Sequence, residues 1–358
     1  MTLSVRELAP SARPAPPPGR GGTGPIGGNA LRAGGLVVAL GALVVVALLS
    51  VAVGSKGIPL GTVVHELLHY DGSDDGVVIR GLRVPRTLLG IAVGAALGLA
   101  GALMQALTRN PLADPGVLGV NAGASAAVVA AIELLGLRSL SAYVWFALAG
   151  AAVASVLVYA LGSRGRSAAT PVRLALAGAA ISSVLGAVVN WLVLMDQTAF
   201  DDFRFWSVGA LAGRPLSVLT QTGPFLLAGA VLALSLGRPL NAMALGEDSA
   251  RALGAHTGRT RALAVLAVTL LCGAATAAAG PIAFVGLAVP HVARTVTGPD
   301  QRWLLPYSAV LAAIWLLASD ILGRIIARPG EIEVGIVTAF VGAPVLIWLV
   351  RRSRGARL

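Results

Sequence analysis

Long apolar segments separated by short polar ones make up most of this sequence. The apolar segments cover 34–53, 84–107, 116–135, 142–162, 172–194, 217–236, 262–280, 282–297, 304–322 and 334–350. About 20 helical residues span the hydrocarbon core of a bilayer, and most of these segments approach that length. The pattern therefore predicts an all-α integral membrane protein with about ten transmembrane helices.

The composition agrees with a membrane protein and excludes other classes. Only 12% of the 358 residues are charged, whereas about 25% are charged in an ordinary soluble domain. The formal charge of +11 would suit a nucleic-acid-binding protein. However, the arginines are dispersed between apolar segments and form no basic face beside stacking aromatics, so no nucleic-acid partner is expected. The single cysteine, Cys272, lies in an apolar segment, which excludes disulfides and cysteine metal sites within the chain.

The distribution of polar and charged residues predicts the domain limits and the orientation. Residues 1–33 contain a Pro- and Gly-rich stretch and are expected to form a disordered cytoplasmic tail. A membrane domain follows over 34–352, and 353–358 form a second short tail. If the N-terminus is placed inside, most of the 27 Lys and Arg residues fall in inner segments, as the positive-inside rule requires. We therefore expect a multi-pass protein of the cytoplasmic (inner) membrane with both termini in the cytoplasm.

Small residues recur at helical spacing in two of the predicted spans. Such stripes allow helix backbones to approach each other closely. The stripe in the second span contains Gly90, Gly94 and Gly98, and helix packing explains it. The stripe in the fifth span contains Gly178, Ser182, Gly186 and Asn190. Its polar members leave two interpretations open, helix packing or a lined pathway, because an asparagine facing lipid is costly.

The motif HELLH at 65–69 matches the zincin pattern, in which two histidines bind zinc and the glutamate acts as general base. An intramembrane zinc protease is therefore an alternative function. The motif lies in a polar outer segment, beside Asp71, Asp74 and Asp75. No third ligand of suitable spacing follows it. We expect a short amphipathic surface helix, without a metal or catalytic role.

Two further activities can be weighed from single residues. A P-loop requires G-K-[ST], and the only lysine, Lys56, precedes Gly57. ATP hydrolysis by this chain alone is therefore excluded for the ordinary P-loop class. A proton-coupled carrier needs an acid within a span. The clearest one, Asp320, lies near an outer helix end with Arg324 four residues later, which favours an ion pair.

The inner segment 238–261, RPLNAMALGEDSARALGAHTGRTR, is predicted to be ordered. Gly246 and Gly254 bracket a short helical piece, with Asp248 near its start and Arg251 near its end, as the helix dipole favours. A structured loop in a protein with little other cytoplasmic mass indicates a docking surface. The alternative is an ordinary interfacial loop.

Four long motifs carry a family resemblance. They are LRVPRTLLGIAVGAALGLAGALMQALTRNPLADPGVLGVNAGAS at 82–125, ALGEDSARALG at 244–254, GPIAFVGLAVPHVAR at 280–294 and VGIVTAFVGAPVLIWLVRR at 334–352. In this order they resemble the FecCD-type permeases of type II ATP-binding-cassette (ABC) importers for iron-siderophores, haem and vitamin B12. One departure is Glu333, at a position where many members of the family have proline.

The resemblance implies the fold, the activity and the partners. The fold would be the ten-span type II ABC importer permease, working by alternating access and carrying a ferric siderophore inward; haem or cobalamin is the alternative substrate. The chain would be no enzyme and hold no cofactor, because two separate ATPase subunits would bind ATP and Mg. The other partners would be a second permease subunit, with a heterodimer favoured, an extracytoplasmic siderophore-binding protein, and membrane lipid. Pro290 and His291 would be structural.

The resemblance also implies three sets of functional residues. The ATPase-coupling loop would use Leu245, Gly246, Glu247, Asp248, Ser249, Arg251, Leu253 and Gly254. The translocation path would be lined from the fifth and tenth spans by Ser182, Gly186, Asn190, Thr338 and Gly342. The binding protein would dock on Arg83, Arg86 and Arg324. The alternative for these arginines is that the first two anchor a helix end at the headgroups and that Arg324 is satisfied by Asp320.

Overall fold

The computed structural model describes residues 28–137, 139–163, 171–195, 197–252, 254 and 256–355. Across these residues the chain folds into fifteen α-helices. They are α1 (Asn29–Ala52), α2 (Leu60–Leu68), α3 (Asp74–Val77), α4 (Val84–Thr108), α5 (Val120–Leu135), α6 (Leu140–Ser163), α7 (Pro171–Met195), α8 (Gln197–Ser207), α9 (Leu216–Ser235), α10 (Gly237–Ala244), α11 (Glu247–Ala252), α12 (Thr257–Ala279), α13 (Val285–Thr297), α14 (Gln301–Ile326) and α15 (Val334–Gly355). A π-helical turn, Val78–Arg83, leads into α4, and a 3₁₀ turn, Pro115–Leu118, precedes α5.

Each predicted span coincides with a helix, and the fold is all-α as expected. Within the described residues, seven helices are long and apolar enough to cross a bilayer: α1, α4 with the turn before it, α6, α7, α9, α12 and α14. The apolar parts of α5, α13 and α15 are shorter. An ordinary membrane crossing takes about 20 helical residues. Non-α-helical backbone precedes α5 and α13, whereas α15 continues as a helix beyond its apolar part.

The predicted starts of the third and eighth spans, at 116 and 282, are wrong by three or four residues. The side chain of Asp114 accepts a hydrogen bond from Gly116 N, and Gly119 has a left-handed backbone (φ +71°), so α5 begins only at Val120. In the eighth span, Phe284 itself takes a left-handed conformation (φ +67°) before α13 begins at Val285. A phenylalanine seldom adopts this conformation.

The predicted glycine stripe on α4 packs against α14, which confirms the helix-packing interpretation. A Cβ atom added at Gly94 would lie 2.7 Å from Ala313 Cα, and one added at Gly98 would meet the carbonyl oxygen of Ser308. Further along α4, Gly101 lies against the backbone of Gly286 in α13. Close backbone approach of this kind is the usual use of small residues between membrane helices.

The helices differ strongly in how far they are covered. Most residues in the apolar parts of α4 and α12 are buried, so these two helices form the centre of the bundle. By contrast, only 11% of the apolar part of α7 and 17% of that of α1 are buried. The exposed apolar surface of these two helices is available to lipid or to another protein chain.

Polar residues gather at the two ends of the bundle. One end carries residues 53–83, 208–215 and 327–333, and we name it the outer end, following the predicted orientation. The opposite inner end carries residues 109–114, 236–257 and 298–301. The amphipathic helix α8, which the sequence analysis did not anticipate, precedes the loop 208–215. It is too short and polar to read as a span, and Phe203 stacks on Trp206 at 6.0 Å between ring centres.

Candidate functional site

The predicted docking arginines come together at the outer end. Arg83 is buried, and its guanidinium group donates to the carbonyl oxygens of Val51, Ala52 and Lys56 at 2.6–3.0 Å. These carbonyls lie at and just beyond the end of α1, where a helix has no internal donors left to satisfy them. Arg83 therefore caps α1.

Arg324 approaches the same helix end from α14. Its side chain is 1% exposed and donates to the carbonyl oxygens of Ser50 (2.8 Å) and Val53 (2.7 Å) and to Asp320 Oδ2 (2.8 Å). All of these contacts lie within the chain, so few of its donors remain for a partner protein.

Arg86 completes the cluster and connects it to the loop before α15. Its Nη2 lies 2.7 Å from Asp320 Oδ1, and its Nη1 lies 2.6 Å from Glu331 Oε2. Burial alone would raise the pKa of the Glu331 carboxyl, but the hydrogen bond and the charge of Arg86 outweigh it and hold that pKa below its ordinary value. The structure thus places Asp320 between two arginines, which weighs against the proton-carrier alternative.

The three arginines and Glu331 line a cavity of about 230 Å³ at the outer end. Docking of a binding protein on them stays a prediction. The internal hydrogen bonds favour the alternative. Arg83 anchors a helix end, although on backbone carbonyls rather than lipid headgroups, and Arg324 is satisfied by Asp320 and by α1. Arg86 keeps part of its side chain exposed.

The inner loop contains the short helix that Gly246 and Gly254 bracket, α11, and a further helix, α10, precedes it. Helix α10 ends in a turn at Leu245, and Gly246 takes a positive φ of 110° before α11 begins at Glu247. Gly254 also has a positive φ (79°), whereas Leu253 lies outside the described residues. Ser249 and Arg251 lie on α11 and are exposed, and the side chain of Leu245 is 66% exposed.

Hydrogen bonds fix α10 to the start of α14. Asn241 Nδ2 donates to Asp300 Oδ1 at 2.6 Å, and the backbone N–H of Gln301 donates to Asn241 Oδ1 at 2.8 Å. Hydrogen bonds from Arg302, with help from Asn241, hold the pKa of Asp300 at about 2. From the other side, Arg109 donates to the carbonyl oxygen of Met243. The loop is therefore tied to membrane helices at both sides of α10.

A cavity of about 450 Å³ opens beside α10 at the inner end. Arg294 lies in it and donates to Gln105 Oε1 at 3.2 Å, and Gln105 in turn donates to the carbonyl oxygen of Leu287. Its lining residues include Gln105, Arg109, Leu240, His291, Arg294 and Gln301, and none of the described lining residues is acidic. The cavity therefore suits an acidic group. His291 lines this cavity, and none of the described lining residues is an acid or a nucleophile that could form a catalytic pair with it.

The predicted path residues fall into two groups. On α7, Ser182 and Gly186 are partly exposed and Asn190 is exposed. On α15, Thr338 is fully buried and its hydroxyl donates to the carbonyl oxygen of Gly335 at 3.0 Å. The two helices have different neighbours, since α5, α6 and α8 pack on α7 whereas α13 and α14 pack on α15.

Gly342, the last of the predicted path residues, lies against Phe284. A Cβ atom added at Gly342 would be 2.5 Å from Phe284 Cβ. Gly178, the first residue of the α7 stripe, packs instead on the 3₁₀ turn through Val117. The path residues are thus not brought together within one chain, and their role stays a prediction.

The HELLH motif does not form a zincin site. Helix α2 ends at Leu68, so His69 lies just beyond it, and the rings of His65 and His69 stack at 5.6 Å with an interplanar angle of 26°. An imidazole lone pair lies in the plane of its ring, so two stacked rings do not converge on one ion. Glu66 is 1% exposed and accepts a hydrogen bond from Ser73 Oγ, which leaves it badly placed to act as a base.

Comparison with known proteins identifies the family. The sequence profile of the FecCD transport family matches residues 42–352. The chain belongs to the FecCD transport family. Among curated members, the ferric enterobactin transport system permease protein of Escherichia coli K12 is 47% identical over 85% of this chain and 91% of its own length. The Fe(3+)-citrate import system permease protein of Bacillus subtilis 168 is 40% identical over 86% of this chain and 92% of its own.

Another FecCD-family relative and a solved structure extend the comparison. The hemin transport system permease protein of Yersinia pestis is 35% identical over 87% of this chain and 95% of its own length. A metal-chelate type ABC transporter, solved in an inward-facing conformation, superposes with a TM-score of 0.79 at 27% identity, covering 89% of this chain and 99% of that one. The fold is therefore that of an ABC transporter permease, a multi-pass membrane protein.

The structure places at candidate sites two groups of residues that the sequence analysis did not single out. Phe284 is one; its signal was the Gly-Pro pair at 280–281, which interrupts an apolar segment just before it. The pair Arg109 and Arg294 is the other, because residues so far apart in sequence give no sign that they line one cavity.

Proposed function

We propose that this chain is the transmembrane permease subunit of an ABC importer that carries a ferric siderophore across the cytoplasmic membrane. The 47% identity with the ferric enterobactin permease over most of both chains carries this proposal. The fold, shared with a metal-chelate type ABC transporter, supports it. In this orientation both termini lie in the cytoplasm. Of the two predicted tails, residues 29–33 and 353–355 belong to α1 and α15, whereas 1–27 and 356–358 lie outside the described residues.

A second permease subunit would cover part of the exposed surface. Helix α7, which bears Ser182, Gly186 and Asn190, is the least covered of the long apolar helices among the described residues. Asn190 would be costly against lipid, which supports a polar pathway or a protein partner on this face. We favour a heterodimer in which α7 and α15 of both subunits surround the path, with membrane lipid covering the remaining apolar surface. A path lined by small residues would be wide enough for a bulky chelate and would bind it only weakly.

Two ATPase subunits, which bind ATP and Mg, would dock at the inner end. The coupling surface would consist of α10, Leu245 and α11, where Glu247 and Asp248 form the first turn. The exposed Leu245 offers an apolar contact, and the cavity lined by Arg109 and Arg294 offers a place for an acidic group of the ATPase. Because hydrogen bonds tie α10 to α14 and to Arg109, movement of this surface would reach the membrane helices directly.

The extracytoplasmic binding protein would dock over the outer end. Of the three predicted arginines, Arg86 would be the one to meet a carboxylate of the binding protein, because part of its side chain is exposed whereas Arg83 and Arg324 are buried against α1. That carboxylate would replace Glu331 on Arg86. Arginine suits this role because its planar fork grips a carboxylate with two hydrogen bonds.

Alternating access would require the path to close at one level and open at another. Phe284 supports a role in this step, since a bulky side chain in a strained backbone conformation packs directly against Gly342, a predicted path residue. Residues in such conformations cluster at switch regions. A small displacement of α13 relative to α15 would then open or close the path.

Reconstitution tests the proposal. The chain, its partner permease and the ATPase would be placed in vesicles together with the binding protein, and uptake of ⁵⁵Fe-labelled enterobactin would be measured. We expect uptake that requires ATP and every component, with no ATP hydrolysis by the permeases alone. Uptake that proceeds without the ATPase would contradict the proposal. The hemin relative favours haem as a second candidate substrate, and preferential uptake of haem in the same vesicles would select it.

A further inference from the structure

The segment 60–76 at the outer end brings three metal-binding side chains together. One ligand atom each from His65, Glu66 and Asp71 lie within 4.8 Å of one another. The family assignment does not use this cluster, and its geometry differs from the zincin pattern because Asp71 takes the place of the second histidine.

The chain after α2 folds back over Glu66 and holds the cluster in place. The backbone N–H of Asp71 lies 3.5 Å from Glu66 Oε2, and Ser73 Oγ donates to Glu66 Oε1 at 3.2 Å. The backbone N–H of Ser73 donates to Asp71 Oδ1 at 2.7 Å. A Cβ atom at Gly76 would collide with Glu66 Oε2, so glycine leaves the room that this carboxylate occupies.

Arg80 fixes the other side of the cluster. Its guanidinium group donates to the carbonyl oxygens of Glu66 and Leu67 at 2.8 and 2.9 Å and lies over the ring of Tyr70. These hydrogen bonds hold the backbone at the end of α2, which carries Glu66.

The donor set and the local charge suit a divalent metal. One imidazole nitrogen and two carboxylate oxygens are ligands that first-row divalent ions accept. Each carboxylate oxygen has two lone pairs, and the hydrogen bonds to Glu66 use one on each oxygen. Residues 56–80 contain four acidic residues against two basic ones, Lys56 and Arg80, although the whole chain has a net charge of +11. Zinc bonds to such ligands are about 2.0–2.2 Å long, so the donors need to move closer together when an ion binds.

We propose that His65, Glu66 and Asp71 form a binding site for a divalent first-row transition metal, with Zn²⁺ as the probe ion. The bound ion ties the segment 69–76 to α2 at the outer end. Glu66 is a ligand in this site and not a general base, so the site is non-catalytic. The proposal does not depend on the transported substrate.

Metal titration of the purified full chain in detergent, stripped with a chelator, tests the site. Zn²⁺ affinity would be measured by calorimetry, and Co²⁺ would report its ligands through its visible absorption. We expect one ion per chain. Each of His65→Ala, Glu66→Gln and Asp71→Asn should weaken binding at least about tenfold, since even loss of an outer-shell partner costs that much. The matched controls are His69→Ala, which removes the stacked neighbour, and His256→Ala at the inner end; both should retain wild-type affinity.

The pattern across these variants decides the outcome. Loss with His65→Ala and Asp71→Asn but not with His69→Ala supports the site. Unchanged affinity in Asp71→Asn, or a loss in His69→Ala as large as in His65→Ala, overturns it, because the ion would then be held by the histidine pair or by the surface at random. Asp71 is exposed, so its variant is expected to fold, and a monodisperse elution profile checks this. Limited proteolysis provides a second readout: Zn²⁺ should protect the segment 69–76 in the wild type and not in Asp71→Asn.

Discussion

Arg324 holds Ser50 through two hydrogen bonds across 274 positions of sequence. Its Nη1 donates to the Ser50 carbonyl oxygen at 2.8 Å, and its Nη2 donates to the Ser50 hydroxyl at 2.9 Å. The same hydroxyl lies 2.8 Å from Thr87 Oγ1, so the Ser50 side chain on α1 connects α14 with α4. Because α1 buries little of its apolar surface, polar contacts at its outer end carry much of its attachment.

Arg324→Met should therefore loosen α1. The change removes the donors to the carbonyls of Ser50 and Val53 and one of the two arginines that pair with Asp320. Because Asp320 keeps Arg86, the cost should lie below that of breaking a buried pair completely, which is about 3–5 kcal/mol. We expect a lower thermal unfolding midpoint in detergent and faster proteolysis at 53–59. The control is Arg302→Met, whose exposed ion pair with Asp300 should be worth at most about 1 kcal/mol. Equal midpoints for the two variants would contradict the anchoring role.

Arg86→Gln should slow association of the binding protein without changing basal ATP hydrolysis by the assembled complex. Asp320 keeps its contact with Arg324 in this variant, whereas the partly exposed positive charge of Arg86 at the outer end is lost. Charges at the rim of an interface act mainly on association rate and on its salt dependence. Surface plasmon resonance at low and high salt measures both, and Arg302→Gln at the inner end is the control. The docking proposal fails if the association rates at low salt are the same.

Gly94→Ala should destabilise the packing of α4 on α14. The added methyl group would lie 2.7 Å from Ala313 Cα, and backbone cannot move aside as a flexible side chain does. Overpacking of this kind costs about 1–3 kcal/mol. Gly41→Ala on α1 is a matched control, since nothing lies within 4 Å of the added atom there. The unfolding midpoint should fall only in the first variant; a fall in both would point to helix propensity or lipid contact instead.

The hydrophobic pattern predicted the spans because a helix that crosses a bilayer requires a long, unbroken run of apolar residues. The glycine stripe on α4 was readable for a related reason, since only small residues allow the backbones of Gly98 and Ser308 to meet. The start of α13 was not readable, because Phe284 adopts a left-handed conformation that only its tertiary surroundings impose.

The contacts of the outer arginines could not be predicted from the spacing of residues along the sequence. Arg83 and Arg324 contact the backbone of α1, and backbone carbonyls have no sequence signature. The same applies to the inner cavity, where Arg109 and Arg294 meet through folding alone. The predicted docking arginines gather at one end of the bundle and the predicted coupling loop lies at the other, while the contacts of their side chains required the structure.

Leu245→Asp tests the coupling surface with a close control. Leu245 lies between α10 and α11 at the inner end and is 66% exposed, and Leu60 at the start of α2 on the outer end is 68% exposed. Both are leucines of nearly equal exposure, so the same change to aspartate perturbs each equally in the isolated chain. Burying a leucine at an interface is worth about 1.5–3 kcal/mol, which corresponds to about a tenfold to hundredfold change in affinity. We expect Leu245→Asp to weaken ATPase binding by that factor and to uncouple hydrolysis from transport, and Leu60→Asp to leave both unchanged. ATPase binding that survives Leu245→Asp at wild-type affinity would move the docking surface away from 238–261.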